Sequence, residues 1–596
     1  MFNFQNLKLV LIIAIVAVLS VLIHEWNLKY DSQPDPSISI NATANSANNS
    51  TPNALAPDLE TTTGTTAGTA TEAIINGSPD SVNPPSILNT EFRTAGPLIT
   101  VNTDVLSAQI NLMGGNLIHT RLLNYPVSTT DQTPIDLLNN QPDSFYVAQS
   151  GLIGEGLPTG SWAYQIKNNQ EVFNLDKNKD LKINLYFKNS NGLEIIKQYI
   201  FYAHSYLISV DYQIKNNSGK DFSGRFYGQL LRIPPQSQEH NILMSYSTFT
   251  GAAYSSSNTR FDKLSFGHMA DTNLKENSVG GWVSMVQHYF ISAWIPDQNQ
   301  NTLIYSRVFN NSNNTNANVY SVGLANPVMT IPNGATGTTG AKIYVGPAIS
   351  KNLEAAAPNL NLTIDYGWLW FISELLFWVM AHIYSLVGNW GVAIIGVTIL
   401  IKLIFYPLSA KSFRSMGKMR LLQPKMQELK KQYGDDRQAM GRATMELYKK
   451  EKVNPLSSCL PILIQIPVFI GLYWMLMASV ELRQAPFIFW IKDLSLRDPY
   501  FILPVLMGLS MFLQQRLSPK PADPTQAKVM MFLPVVLTLL FLGFPAGLVL
   551  YWIVNNCVGI LQQWYVLSRM AKEQKEQKDQ IGVHHAKKHH VKPANS

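Results

Sequence analysis

Between Trp390 and Tyr406 the chain reads WGVAIIGVTILIKLIFY, an apolar run interrupted by one charge, Lys402. A run of this kind is the material of a membrane-crossing helix. An ammonium in the hydrocarbon core costs roughly 2.5–3.5 kcal/mol on insertion scales. A fold that keeps it there must turn the charge to a wet cavity, pair it, or let it escape to the headgroups. Escape by snorkelling is open to Lys402, because Pro407 follows closely and the lysine stem is long. Thr398 argues against it. It lies one helical turn away on the same face, so the polar surface is a stripe rather than an isolated charge. The stripe favours a water-filled, functional pocket.

The whole chain, 596 residues, exceeds a single core and calls for two or more domains. Its mean hydropathy of zero hides a division, with the first 360 or so residues largely polar and the long apolar runs mostly after them. The net charge of +7 concentrates in Lys411–Lys452 and Arg569–Lys592, where it bears on membrane topology more than on nucleic acid. The two cysteines, Cys459 and Cys557, form neither a disulfide framework nor a metal-ligand spacing. His584, His585, His589 and His590 are read as part of a solvated basic tail, so no cofactor or metal is expected.

Leu7–Ile23 is an apolar run followed by His24-Glu25-Trp26 instead of a small-residue cleavage site, which favours an uncleaved anchor over residues 1–24. Residues 25–89, rich in Ser, Thr, Asn, Ala, Gly and Pro, bury no core and read as a disordered tether. From 90 to 349 the pattern is that of strands. Ile208, Val210, Tyr212 and Ile214 alternate with Ser209, Asp211, Gln213 and Lys215, and Asn216-Asn217-Ser218-Gly219 and Asn333-Gly334 mark turns. An all-β antiparallel sandwich follows. It holds no nucleophile–base pair and no paired carboxylates above chance, so an enzyme is not expected.

Residues 350–388 join this domain to the apolar part. Asp365–Val387 is long enough to span, yet carries Glu374 and His382. With the N-terminus inside and the sandwich outside, a crossing here would put the following basic stretch outside, against the positive-inside rule. The segment is therefore expected to lie on the outer leaflet as an interfacial helix. Spans at Trp390–Tyr406, Leu456–Met477, Tyr500–Leu517, Val529–Phe544 and Leu548–Leu567 then bring every basic segment to the cytoplasm. That makes six transmembrane helices with both termini inside, the last five in residues 389–567. Residues 409–455 form a cytoplasmic helical hairpin broken at Gly434-Asp435-Asp436, with Pro424 kinking or restarting its first arm. Its methionines serve as packing between the arms, as a pliable surface for hydrophobic segments, or as both. Residues 568–596 are a basic tail.

Thr398, Lys402, Gln465, Ser510, Gln514, Asn555, Asn556 and Gln562 supply polar groups from four of the spans, and no Asp or Glu lies in those five spans to neutralise Lys402. Such an array suits a hydrated groove better than ordinary interhelical glue. No GxxxxGK[ST] phosphate loop and no inverted repeat is present, which argues against ATP hydrolysis by that route and against a secondary transporter. An anion channel using Lys402, or an anchored sugar-binding module, remains the alternative.

The blocks NWGVAIIGVTILIKLIFYPLSAKSF, LLQPKMQELKKQYGDDRQ, FPAGLVLYWIVNN, GGWVSMVQHYF and IDYGWLWFIS resemble the YidC/Oxa/Alb family of membrane-protein insertases. The resemblance implies a bacterial inner-membrane insertase and chaperone with a five-helix core. Its periplasmic domain would be a β-supersandwich without catalysis. The implied partners are nascent membrane proteins, the Sec translocon, the translating ribosome and the lipid bilayer, with no direct nucleic-acid specificity. The family's groove arginine falls on Lys402, which keeps the charge and loses the bidentate fork. Its substrate-contact positions fall on Thr398, Ile466, Phe469 and Trp552, beside Tyr551. Gln465 and Asn555 complete the groove as read from the spans.

Overall fold

In the computed structural model the described residues run from 96 to 589, apart from 156, 158–161, 177–178, 236–248, 310–317, 435, 452, 454–459 and 519–523. The anchor and tether expected before residue 96 lie outside them, as do Cys459 and the last residues of the tail.

Strands fill the chain from Leu98 to Pro347 and form two sheets, one of eleven strands and one of nine. Pairing is antiparallel except where Leu98–Asn102 lies beside Val172–Asn174. The alternation read from the sequence is what faces the sheets onto one another. Ile208, Val210, Tyr212 and Ile214 are fully buried while Asp211, Gln213 and Lys215 are exposed. Both sheets contribute to one core around Trp282, Trp294, Tyr199 and Phe226. Trp294 packs flat on Gly228, where a Cβ would stand 2.8 Å from the indole. Lys197 is also inside this core, at 0% exposure. Its ammonium donates to the carbonyls of Ser150 (3.0 Å) and Gly114 (3.4 Å) and faces the rings of Tyr199 and Tyr212. Burial holds its pKa well below the usual lysine value.

Two short helices interrupt or close the domain, α1 (Phe266–Asp271) and α2 (Ser350–Ala356). The helical region follows as α3 (Trp370–Val387), α4 (Trp390–Ile404), α5 (Tyr406–Leu421), α6 (Gln423–Gln432), α7 (Arg437–Lys450), α8 (Leu460–Ala478), α9 (Ile502–Leu517), α10 (Pro524–Phe541) and α11 (Ala546–His589). The breaks have local causes. Gly388 ends α3 in the left-handed region (φ 67°), and the Asn389 side chain caps α4 by accepting from the Val392 N–H. Pro407 opens α5, and the chain turns by 67° between α4 and α5. Pro424 restarts the next arm as α6, and Asp436 caps α7 through the N–H groups of Gln438 and Ala439.

Among the described residues, α3 is the one helix long and apolar enough to cross a membrane, and α4 and α5 pass together as one broken span; the apolar parts of α8, α9 and α10 are shorter. All of these helices carry exposed apolar faces. Leu403, Val505, Leu509, Val529, Val535 and Leu539 are each more than half exposed. Faces of this extent are covered by lipid or protein rather than water.

The end of α8 docks on the β domain. Ala478 and Val480 join the sandwich core, and His288 hydrogen-bonds the Met477 carbonyl through Nε2 at 2.9 Å. Arg483 donates to the carbonyls of Pro126 (2.8 Å) and Val127 (2.9 Å), and Gln484 donates to that of Pro126 (2.8 Å).

Candidate functional site

Lys402 points into the helical bundle and is 6% exposed, on the same buried face of α4 as Thr398, Ile394 and Val397. That face packs on α11. The approach is possible because residue 559 is glycine. A Cβ there would lie 3.8 Å from the lysine Nζ and 3.2 Å from the Gln514 amide nitrogen. Gly559 thus marks where the cation of α4 and the amide of α9 converge on α11. Lys402 is in no ion pair among the described residues.

One turn further along α11, Gln562 donates from Nε2 to the Lys402 carbonyl at 3.1 Å, where the α4–α5 bend begins. Gln563 donates to the Leu517 carbonyl at 3.1 Å, closing the end of α9 against the same helix. The Oε1 atoms of both glutamines are buried and have no partner among the described residues. A buried acceptor left unpaired costs roughly 1–3 kcal/mol, so these two are poised to take a donor. Asn556 donates to the Ser510 hydroxyl at 2.9 Å, a second tie between α11 and α9.

Above this polar stretch the surface turns aromatic. Phe469 of α8 stands 4.9 Å from Trp552, edge to face, and 6.2 Å from Tyr551, stacked at a shallow angle; Phe541 of α10 also packs on Trp552 at 5.1 Å. The Trp552 indole N–H is buried and has no acceptor among the described residues.

The residues expected from the sequence are thus partly assembled. Lys402 shares its surroundings with Gln514 and Gln562, and Phe469 is joined to Tyr551 and Trp552. Thr398 is buried, but its hydroxyl donates to the Ile394 carbonyl of its own helix at 2.6 Å. Ile466 is 45% exposed, and Gln465 and Asn555 are half-buried. Gly559 and Gln563 escaped the sequence reading. Asn555, Gly559 and Gln562 follow one another at helical spacing, and that stripe was the available signal.

Apolar outer faces around an interior cation and unpaired amides define a membrane-embedded protein that keeps a polar surface inside its helical core. The family comparisons make this particular. Residues 98–379 match the YidC periplasmic domain, and residues 382–574 match the 60Kd inner membrane protein. A membrane protein insertase YidC of Coxiella burnetii is 45% identical over 94% of this chain and 96% of its own length. One of Legionella pneumophila is 46% identical over 84% and 90%, and one of Stutzerimonas stutzeri is 42% identical over 94% and 97%. The chain belongs to the YidC family of membrane protein insertases.

Proposed function

We propose that this chain inserts nascent membrane proteins into the bacterial inner membrane and assists their folding, without making or breaking covalent bonds. The observation that carries the reading is the interior lysine. The Lys402 ammonium and the Gln514 amide converge at Gly559, and Gln562 holds the Lys402 carbonyl, while the outer faces of the same helices are apolar.

The chemistry follows from that contrast. A polar segment crossing a bilayer must shed its water, which costs several kcal/mol per unsatisfied backbone group. A cation and amide oxygens inside the bundle offset part of that cost, the ammonium by donating to carbonyls of the passing chain and the amide oxygens by accepting from its N–H groups. They also shorten the apolar barrier. The paired aromatics Phe469, Tyr551 and Trp552 receive the segment's apolar side, and Ile466, at the exposed edge of α8, guides its exit into lipid. Thr398 shapes the wall beside Lys402, and Gln465 and Asn555 extend the polar lining.

The topology that fits this role has six spans, an N-terminal anchor before the tether and both termini in the cytoplasm. The positively charged segments after α4, between α9 and α10 and along the C-terminal part of α11 then all lie inside. Helix α3 rests on the outer leaflet, with its Trp370, Phe371 and Trp378, and Trp368 just before it, exposed toward headgroups and lipid. The α5–α7 segment and the basic end of α11 receive the nascent chain and the translating ribosome, and cooperation with the Sec translocon belongs to the same reading.

The test is reconstitution. Purified protein in liposomes is supplied with a short two-span membrane protein translated alongside, and protease protection of the substrate's translocated loop is compared with empty liposomes. Protection above that background is expected. Its absence with folded, correctly oriented protein would overturn autonomous insertion, and anion flux dependent on Lys402 would then identify a channel.

A further inference from the structure

The segment between α8 and α9 is a loop with two unlike sides. Its inner side is built into the fold. Ile491 and Leu494 are 3% and 2% exposed within the helical core. The Leu494 carbonyl accepts from the Gly547 N–H at 2.9 Å, and the Leu496 carbonyl from the Ala546 N–H at 2.7 Å. Asp498, 1% exposed, accepts from the Trp490 indole (2.9 Å) and from the backbone N–H groups of Tyr500 (3.0 Å) and Leu503 (2.7 Å), so it caps α9 and pins the loop's return. Asp493 is spent in the same manner on Ser495.

The outer side is apolar and exposed. Phe489 is 80% exposed, Tyr500 66%, Leu496 55% and Ile488 49%. Phe489 and Phe501 hold φ values of 53° and 57°, a region that bulky residues seldom occupy, so the backbone bears strain to present them. A folded loop with so many internal hydrogen bonds could have placed polar residues here. The charges divide as well, with both aspartates buried and used by the backbone and both cations, Lys492 and Arg497, exposed. Beyond Phe501 the apolar surface runs without interruption into the exposed face of α9 at Ile502, Val505, Leu506 and Leu509.

We infer that the 486–501 loop is a membrane wedge, its aromatic tip seated in the outer-leaflet headgroup region with Lys492 and Arg497 on lipid phosphates. The inference rests on the membrane topology proposed above. Three features select lipid as the occupant: continuity with the lipid-facing side of α9, cations facing out at an interface, and aromatics at the boundary between wet and apolar surface. Anchored through Asp498 to the start of α9 and through Leu494 and Leu496 to the start of α11, the loop fixes the depth of both helices in the bilayer.

The experiment places an environment-sensitive NBD label at single cysteines in the full chain, after Cys459→Ser and Cys557→Ser, in liposomes containing nitroxide lipids. Phe489→Cys and, independently, Leu496→Cys are compared with Leu509→Cys on α9. Lys220→Cys is the aqueous reference, in the turn beyond the strand Leu207–Asn216. The expected result is loss of emission at 489 and 496, strongest with a nitroxide close to the headgroup. The loss at 509 should be strongest with a deeper nitroxide, and 220 should be unaffected. Quenching at 509 with 489 and 496 behaving like 220 overturns the wedge and leaves the membrane reading intact. Absence of quenching at all four positions overturns both.

Discussion

At the scale of the residue, the site is set by Lys402 and by Gly559, over which the lysine Nζ and the Gln514 amide meet. Lys402 stood out because a charge in an apolar run demands a reason, and the structure places it inside the bundle. Gly559 gave no such signal, since a glycine within a helical stretch is by itself only a weak point in propensity. Its role depends on two side chains from other helices meeting over it. Thr398 illustrates the opposite limit, for its face was legible while the bond to its own Ile394 carbonyl was not. Gly559→Ala brings a Cβ to 3.2 Å from the Gln514 amide, which a small side-chain shift absorbs, so insertion is expected to persist. Gly559→Leu must displace both the amide and the ammonium, at an overpacking cost of roughly 1–3 kcal/mol. It is expected to depress insertion in the reconstituted assay while circular dichroism still reports a folded helical protein. Lys402→Arg should retain activity and Lys402→Gln should impair at least some substrates. Equal activity in wild type and both variants would remove the lysine from the mechanism.

Elements end where short-range chemistry ends them, and those ends were the most readable part of the helical region. Pro424 and the Gly434-Asp435-Asp436 stretch announced the breaks around α6 and α7 because proline geometry and carboxylate capping act within a few residues. The long reach of α11 to His589 was less readable: nothing in Leu567–Gln580 stops a helix, but the change from apolar to basic suggested a boundary at the end of the span. Asp436→Ala removes two hydrogen bonds from the first turn of α7 and should cost about 1 kcal/mol locally. Hydrogen exchange should accelerate at Gln438–Met440 and stay unchanged in α8 and α11. The α4–α5 bend, opened locally by Pro407, is also tied by a partner more than a hundred residues away, Gln562. Gln562→Met keeps the bulk and loses the donor to the Lys402 carbonyl, exposing that group to a penalty of roughly 1–3 kcal/mol. Faster amide exchange across 402–409, with α9 unaffected, is the expected outcome. Unchanged exchange would show that the bend holds without the glutamine.

Across the whole molecule, the division into a strand-rich part and an apolar helical part was legible from composition, but the way they hold each other was not. The contacts join residues such as Pro126 and Arg483, which no local pattern connects. Two titratable groups sit at this junction, just beyond the end of α8. Burial pushes the Glu481 carboxyl up to about 7, with Tyr125 and Tyr366 close by, and burial lowers the pKa of His288, which binds the Met477 carbonyl. Their effects on stability run in opposite directions. Between about pH 4.5 and 7 the folded protein holds a proton on Glu481 that the unfolded chain has released, so stability falls as pH rises through that window and levels off above it. The full effect is at most about 3 kcal/mol. His288, neutral when folded, withdraws stability as pH drops below its unfolded value of about 6.5. Glu481→Gln isolates the first effect, because the histidine contribution is common to both proteins. In full-length protein in nanodiscs, wild type and Glu481→Gln should differ least in melting temperature near pH 5, where the carboxyl is protonated in the fold. Near pH 8 the variant should melt higher, since the wild type must then keep an ionised carboxylate in the junction or open the junction to hydrate it. A constant offset between the two proteins from pH 5 to 8 would mean that Glu481 is hydrated in the fold and that the junction is held by contacts that do not titrate with it, those of Arg483 and Gln484 and the packing of Ala478 and Val480.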